Sequence, residues 1–388
     1  MIGVGGGQSS AGCTLRASER ECWIAFSLVP GIGPSGFAQL VGRHGSAVAA
    51  WEAGQAGLDG IGRLGPDATD RLAALRREGA RTIVRRLAQR TAEAGGRIVT
   101  GLDDDYPDAL RTLDPRPATL FVAGDGAAFA ERAVAVVGTR RASGYGLATA
   151  TDLGDELARA GTVVVSGLAL GVDGAAHRAA VNAGGRTVAV LPSPLNRIYP
   201  PRHRGLAREI LRAGGALISE VAIGAPVGRP DFARRNRIIA GLSEAVIVVE
   251  APDRSGALLT AAAAITIGRE LYAVPGQIDA QAARGCNRLI ADNDAVMVTS
   301  VAALLRQIGL AFGKKPPAVS ALSEVEGQVL RRLLERSGSI EELVDRTHQP
   351  AASVASALTL LEARGLVNTF GGATFHPTLG ARRLAGLV

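Results

Sequence analysis

The sequence predicts an α/β protein: a Rossmann-like doubly wound parallel sheet, flanked by an N-terminal helical domain and a C-terminal winged helix. Three observations carry that prediction. From residue 132, short runs rich in Val, Ile and Ala alternate with helical stretches. Most of these runs are apolar throughout rather than alternating, as strands buried on both faces of a parallel sheet are. Helical patterns alone precede them, and a linker, three helices and a hairpin follow. The 388 residues allow two or three domains at roughly 150 residues each.

Taken in order, residues 1–18 begin MIGVGGGQSSAGC and read as a flexible tail. They lack the basic segment and long apolar stretch of a secretory signal. Residues 19–95 read as a helical domain of helix-hairpin-helix, SAM-like type. Two hairpin signals mark it, Val29-Pro30-Gly31-Ile32-Gly33-Pro34 and Leu58-Asp59-Gly60-Ile61-Gly62. Glycines let such hairpins turn tightly and aim N–H groups at a phosphate. Residues 1–131 carry a net charge of −1, however, which favours protein contacts for this domain.

Residues 96–308 form the Rossmann-like unit with its lead-in. Strands are expected at Ala133–Val137, Thr162–Val165, Thr187–Leu191, Ala216–Ile218, Ala245–Val249 and Leu271–Val274, with an edge strand at Asp294–Val298. Helical segments of about 10–17 residues between most of them complete the α/β pattern. Residues 309–320, GLAFGKKPPAVS, read as a linker. In residues 321–388, helices at Ser323–Arg336, Ser339–Thr347 and Ala351–Arg364 precede a hairpin over Gly365–Phe375. That is a winged helix. Many insert the third helix into a DNA major groove, but here that helix carries Arg364 as its single base. A protein-contact role is favoured.

Composition excludes several classes. Hydrophobic residues are 47% and charged residues 20%, enough apolar mass for a core and against overall disorder. No charge-free run of 18 apolar residues occurs, so no membrane partner is expected. Cys13, Cys22 and Cys286 form neither a zinc spacing nor a disulfide framework, which fits a reducing cytoplasm. The five histidines make no HExxH pair, and no GxxxxGK[ST] loop is present. No metal, cofactor or catalytic nucleophile is expected.

Net charge is +7, and it is unevenly placed. Residues 132–300 hold +5 and residues 301–388 hold +3. Within the middle segment, 197–237 carries nine Arg against three acids. Codon bias explains why all bases but Lys314 and Lys315 are Arg, but not a local excess of six. An anion-binding surface does.

In open α/β sheets, ligands bind beyond the carboxyl ends of the strands. Three glycine-rich loops occupy that edge. The first holds Gly138, Thr139, Arg140, Arg141 and Ser143, with Ser143 as N-cap of the next helix. The second holds Ser166, Gly167 and Gly171, and the third Ser255 and Gly256. None has the GxGxxG spacing of a dinucleotide site. Asp173 reads as a cap and His177 as a packed or hydrogen-bonded histidine. A fourth stretch combines Arg229, Phe232, Arg234, Arg235, Asn236 and Arg237. Arginines can follow a nucleic-acid backbone while a ring stacks on a base. Phe232 is read both ways, as a stacking ring and as core.

At these residues the sequence closely resembles the DNA-processing protein A family, also called DprA or Smf. The matching segments are Val137–Gly146, Ser166–Asp173 with Ala176-His177, Ile218-Ser219-Glu220, Phe232–Ser243, Val248–Thr260 and Ala273–Gly276. The resemblance covers 132–300, and the lead-in at 96–125 also looks like the family's. It implies a cytoplasmic, homodimeric binder of single-stranded DNA that helps load the RecA recombinase in natural transformation, with no catalytic turnover. It implies DNA contacts at Arg140, Arg229 and Phe232, and dimer contacts near Asn287–Val298. Two departures from the family pattern occur: Ala233 stands at a usual Pro, and around 192–203 the usual Gly and Asp before Tyr199-Pro200 are replaced, with His203 at a usual Asn. Two other readings are weighed beside this one. One is a nucleotide-processing enzyme with Glu250 or Asp173 as acid; the other is a scaffold without a nucleic-acid partner.

Overall fold

The computed structural model describes residues 17–310 and 322–385, except 60, 62–63, 65, 371–373, 379–380 and 382–383. The expected tail and linker therefore lie almost wholly outside the described residues, as do Gly60 and Gly62 of the second hairpin signal.

Among the described residues five α-helices come first: α1 (Glu19–Phe26), α2 (Pro34–His44), α3 (Ala47–Ala53), α4 (Pro66–Glu78) and α5 (Ala80–Glu93). Ser18 and Glu21 cap each other's backbone N–H groups to start α1. Proline begins α2, where its missing N–H costs nothing. Phe26 meets Trp51 edge to face at 5.6 Å, and Trp23 meets Phe37 at 4.9 Å. Four rings thus supply the centre of a small core.

The α/β unit follows. It runs β1 (Gly96–Thr100), α6 (Asp108–Arg111), β2 (Thr119–Gly124), β3 (Ala133–Val137), α7 (Gly144–Arg159), β4 (Val163–Ser166) and α8 (Val172–Asn182). It continues β5 (Thr187–Leu191), α9 (Arg204–Arg212), β6 (Ala216–Ser219), α10 (Arg229–Gly241), β7 (Ala245–Val248) and α11 (Ala257–Thr266). It closes with β8 (Glu270–Ala273), α12 (Arg284–Ala291), β9 (Val296–Met297) and α13 (Val301–Gln307). The central strands are wholly buried, which is why their sequences do not alternate.

The nine strands lie in the order β1-β2-β6-β5-β4-β3-β7-β8-β9. Pairings from β6 to β9 are parallel. The chain steps outward from β3 to β6, then returns to β7 on the other side of β3. That reversal opens a crevice between the carboxyl ends of β3 and β7. One face packs Ile238, Ile239, Ala261 and Cys286 against the strands, and the other packs Leu153, Leu157, Val172 and Leu304. The helical domain docks through Ile24 and Leu87 onto Phe121, Leu206 and Ile210.

The structure differs from the sequence reading in two ways. The lead-in supplies two antiparallel strands, β1 on β2 and β2 on β6, so the sheet is mixed at that edge. β1 is half-exposed and carries Arg97, so its pattern is not that of a buried strand. The edge strand is also shorter than expected, and both of its residues are exposed.

The C-terminal unit contains α14 (Glu324–Glu335), α15 (Ile340–Thr347), α16 (Ala351–Ala363), β10 (Val367–Phe370) and β11 (Thr374–Pro377). Capping boxes at Ser323/Glu326 and Ser339/Glu342 start its first two helices. This is the winged helix that the periodicity predicts. No helix among the described residues is long and apolar enough to cross a membrane.

Candidate nucleic-acid interface

The crevice between β3 and β7 holds a cavity of about 440 Å³. Gly138, Thr139, Arg140 and Arg141 line it from the loop after β3, and Pro252, Arg254, Ser255 and Gly256 from the loop after β7. Arg229, Phe232, Arg235 and Asn236 close it from the first turns of α10. Residues far apart in sequence converge here because three loops leave the sheet at the same end.

Arg140, Arg141, Arg229 and Arg254 are exposed at this site. None has an ion-pair partner among the described residues. The nearby acids are already engaged, Asp231 by Arg234 and Asp253 by Arg288. The cavity thus carries uncompensated positive charge.

Phe232 is half-buried rather than core. The Arg140 guanidinium lies over its ring, 5.4 Å from the centroid, and Tyr199 meets it edge to face at 5.5 Å. Cation–π attraction favours the first contact. Tyr199 is 43% exposed, so two adjacent rings present surface beside the arginines. The sequence reading missed Tyr199 and Arg254 as site residues. Tyr199 lies in the charge-rich segment 197–237 and Arg254 in the segment Val248–Thr260, just before the third loop.

The loop amides behave differently from expectation. The α7 N-terminus, which Ser143 caps, does not offer its N–H groups to a phosphate, because the chain's own Glu250 fills it. Glu250 accepts from the Ser143 N–H at 2.8 Å and from the Ser143 hydroxyl at 2.7 Å. The Ser143 oxygen in turn accepts from the Gly146 N–H at 3.1 Å. A Cβ at Gly146 would lie 2.5 Å from the Glu250 carboxylate, so glycine makes this approach possible. Ser143 is therefore a cap and not a ligand-facing group. The N-terminus of α11 does reach the cavity, through Ser255, Gly256 and Ala257, beside the first turn of α10.

The second loop is a support. Ser166 is fully buried, and its hydroxyl donates to the Val136 carbonyl at 2.6 Å. Gly171 has φ +77°, and a Cβ there would lie 2.3 Å from the Thr139 carbonyl. Gly167 donates its N–H to Asp173 at 3.1 Å, and Ala169 does so at 3.3 Å. Ser166 and Gly171 thus brace the cavity floor and do not line it; Gly167 lines only a small adjoining pocket.

Arg235 lines the cavity but is itself buried. It donates to the carbonyls of Gly167 at 2.6 Å and Val190 at 2.5 Å. Burial pulls its pKa down to about 10, opposed by the charge of Asp173. Burial raises the Asp173 carboxyl, opposed by Arg235 and by the loop N–H groups. Asn236 donates to the Gly256 carbonyl at 3.1 Å, tying α10 to the third loop. Arg234 pairs with Asp231 and abuts Gly33 of the first hairpin. Arg237 binds Glu220 at 2.5 Å and the Pro115 carbonyl at 2.7 Å. Neither Arg234 nor Arg237 reaches the cavity, so the six candidates of this stretch divide between surface and scaffold.

His177 is buried, with Nδ1 2.6 Å from the Thr187 hydroxyl, and burial holds its pKa down at about 3. His203 has Nδ1 2.9 Å from the Leu168 carbonyl. Both histidines hold structure. Asp173 and Glu250 are likewise committed to backbone groups. Among the described residues no cluster of His, Cys, Asp and Glu could hold a metal.

Comparison with known proteins gives two family matches. Residues 97–309 match the DNA recombination-mediator protein A model, and residues 313–373 match the DprA winged helix domain. Protein Smf of Escherichia coli K12 is 38% identical over 276 residues, covering 69% of this chain and 74% of its own length. A putative DNA processing protein DprA of Mycobacterium tuberculosis H37Rv is 38% identical over 298 residues, covering 72% and 76%. The solved DNA processing protein A of Streptococcus pneumoniae is similar with TM-score 0.61 and 30% identity, covering 76% of this chain and 99% of that one. The Helicobacter pylori DNA processing protein A, solved for its single-stranded DNA binding mode, aligns with TM-score 0.51 and 29% identity, covering 55% and 97%.

Proposed function

The chain belongs to the DNA recombination-mediator protein A family, and from that premise we propose that it binds single-stranded DNA at the β3–β7 crevice and passes the strand to a RecA-class recombinase. One observation carries the reading. Four arginines without acidic partners among the described residues surround a cavity whose wall includes a half-buried phenylalanine.

Backbone phosphates meet Arg140, Arg141, Arg229 and Arg254. Guanidinium groups can bind each phosphate through two hydrogen bonds. The α11 N-terminus adds N–H groups of the right polarity. A base packs on Phe232, which tolerates any sequence because every base has a π-face. The buried layer of Arg235, Asp173, Ser166 and Glu250 keeps the loops in place before the strand arrives. The protein acts by holding DNA, without chemical turnover, in the cytoplasmic handling of incoming DNA during natural transformation. It works as a homodimer joined near the β9 edge, where Val296 and Met297 are exposed; pairing two cavities raises avidity.

The test is a titration by fluorescence anisotropy across a range of salt. The expected result is tight binding to an unstructured oligonucleotide, weaker binding to duplex, and steep loss with salt. Equal affinity for both forms, or affinity indifferent to salt, overturns the reading.

A further inference from the structure

A second cavity, of about 300 Å³, lies where the helical domain meets the loop between β6 and α10. Arg71 of α4 and Arg86 and Arg90 of α5 line it, opposite Ile223–Pro226. Arg86 and Arg90 are one helical turn apart and so share a face of α5. Arg71 comes from the neighbouring helix and points its charge into the same cleft. Arg86 pairs with Glu78. Arg71 and Arg90 have no acidic partner among the described residues.

The cleft is built to bring backbone and arginine together. Gly224 has φ +93°, a conformation that favours glycine. A Cβ there would lie 3.1 Å from the Arg90 guanidinium, so glycine gives the loop its close approach. Leu28 and Leu87 contribute apolar lining on which a sugar or base can rest. The domain as a whole is not basic, since residues 1–131 carry −1. Convergence of three arginines from two helices is therefore a local arrangement.

Its position ties it to the main cavity. Pro226 and Arg229 are three residues apart, a span of at most about 11 Å of chain. That is short against a single-stranded site of roughly 4–16 nucleotides.

We infer that the cleft walled by Arg71, Arg86 and Arg90 is a second phosphate-binding site, which takes the backbone of the strand that leaves the β3–β7 cavity. The inference rests on the single-strand reading above. It makes the helical domain part of the DNA track rather than a separate docking module.

The experiment compares three full-length forms: the wild type, Arg71→Ala plus Arg90→Ala, and a control, Arg77→Ala plus Arg85→Ala. The control removes the same charge from the same helices outside the cleft. Each is titrated with oligothymidylates of roughly 6 and roughly 20 nucleotides, a range that brackets one site and two. The cleft variant is expected to match the control on the short strand. On the long strand it should bind roughly fivefold more weakly, with a salt slope shallower by about 1.4, the value for two lost phosphate contacts on a single strand. Equal affinity and slope for the cleft variant and the control on the long strand overturn the inference, and assign the arginines to an acidic protein surface instead. If the wild type binds neither strand, the single-strand reading falls and this inference with it. If the wild type binds both strands and only the cleft result fails, the reading stands and the inference alone is lost.

Discussion

The sheet edge and the winged helix are both rich in arginine, but they use it differently. In the winged helix, Arg332 pairs with Glu335, Arg336 with Glu342, Arg346 with Glu335 and Arg364 with Glu326. At the sheet edge, Arg140, Arg141, Arg229 and Arg254 have no such partners among the described residues. Net charge per domain does not reveal this. Affinity for phosphate depends on guanidinium groups that are exposed, convergent and uncompensated. By that measure the crevice is equipped to hold a strand and α16 is not.

The comparison can be broken from several sides. The largest effect is expected from Arg235→Met, because it leaves Asp173 buried without its counter-charge. It also leaves the Gly167 and Val190 carbonyls without their buried donor, and each unsatisfied buried group costs about 1–3 kcal/mol, so the denaturant midpoint should fall sharply. A second change, Asp173→Asn, should recover part of the loss. If Arg235→Met instead folds normally and loses DNA, then Arg235 belongs with the surface arginines.

Next in size is Phe232→Ala. The ring should be worth about 1–3 kcal/mol of single-strand binding, at little cost in stability, since it is half-buried. A variant that unfolds readily but binds normally when folded would return Phe232 to the core.

The pH dependence of stability gives a smaller effect. Burial holds His177 at about 3 in the folded chain, against an ordinary value near 6.5. Between those values the unfolded state binds a proton that the folded state does not. Stability should therefore be complete above about pH 6.5 and decline as pH falls toward 3. His177→Gln should flatten that decline between pH 6.5 and 5 in equilibrium unfolding. An unchanged slope would mean that another group drives it.

The smallest effect is assigned to Arg364→Ala. It sits 3.4 Å from the Glu326 carboxylate, which is only 3% exposed, so its charge is already committed inside the winged helix. Single-strand affinity should therefore change by less than about twofold, roughly 0.4 kcal/mol. A loss as large as that of the sheet-edge arginines would erase the contrast between the two regions.

Much of this was legible in the sequence. Thr187–Leu191 and Ala133–Val137 match their strands to the residue, because a strand buried on both faces has no polar interruptions. The first two winged-helix segments were equally clear, because Ser323 and Ser339 are followed by glutamates in capping-box spacing. The inward turn of Arg235 was also available. Ile238 and Ile239 follow it at three and four residues on the buried face of α10, and the buried C-cap Leu242 follows at seven. A count of bases over the segment hides that period.

Other features were beyond the sequence. Glu250 at the α7 N-terminus is a contact across 107 residues, and no local pattern announces it. The β1–β2 pair joins the sheet antiparallel, although its strands lie outside the repeating α/β units. The Arg71–Arg90 cleft exists only because two helices and a distant loop meet. Each of these depends on tertiary packing rather than on local propensity.

The central claim is that uncompensated arginines at the crevice hold the strand. It is tested most directly by titrating single-stranded DNA into the full chain and into the Arg140→Ala plus Arg229→Ala variant across a range of salt. The account predicts a loss of tenfold or more, with a salt slope shallower by about 1.4 for two lost contacts. A loss of less than about threefold, with the slope unchanged, would contradict it.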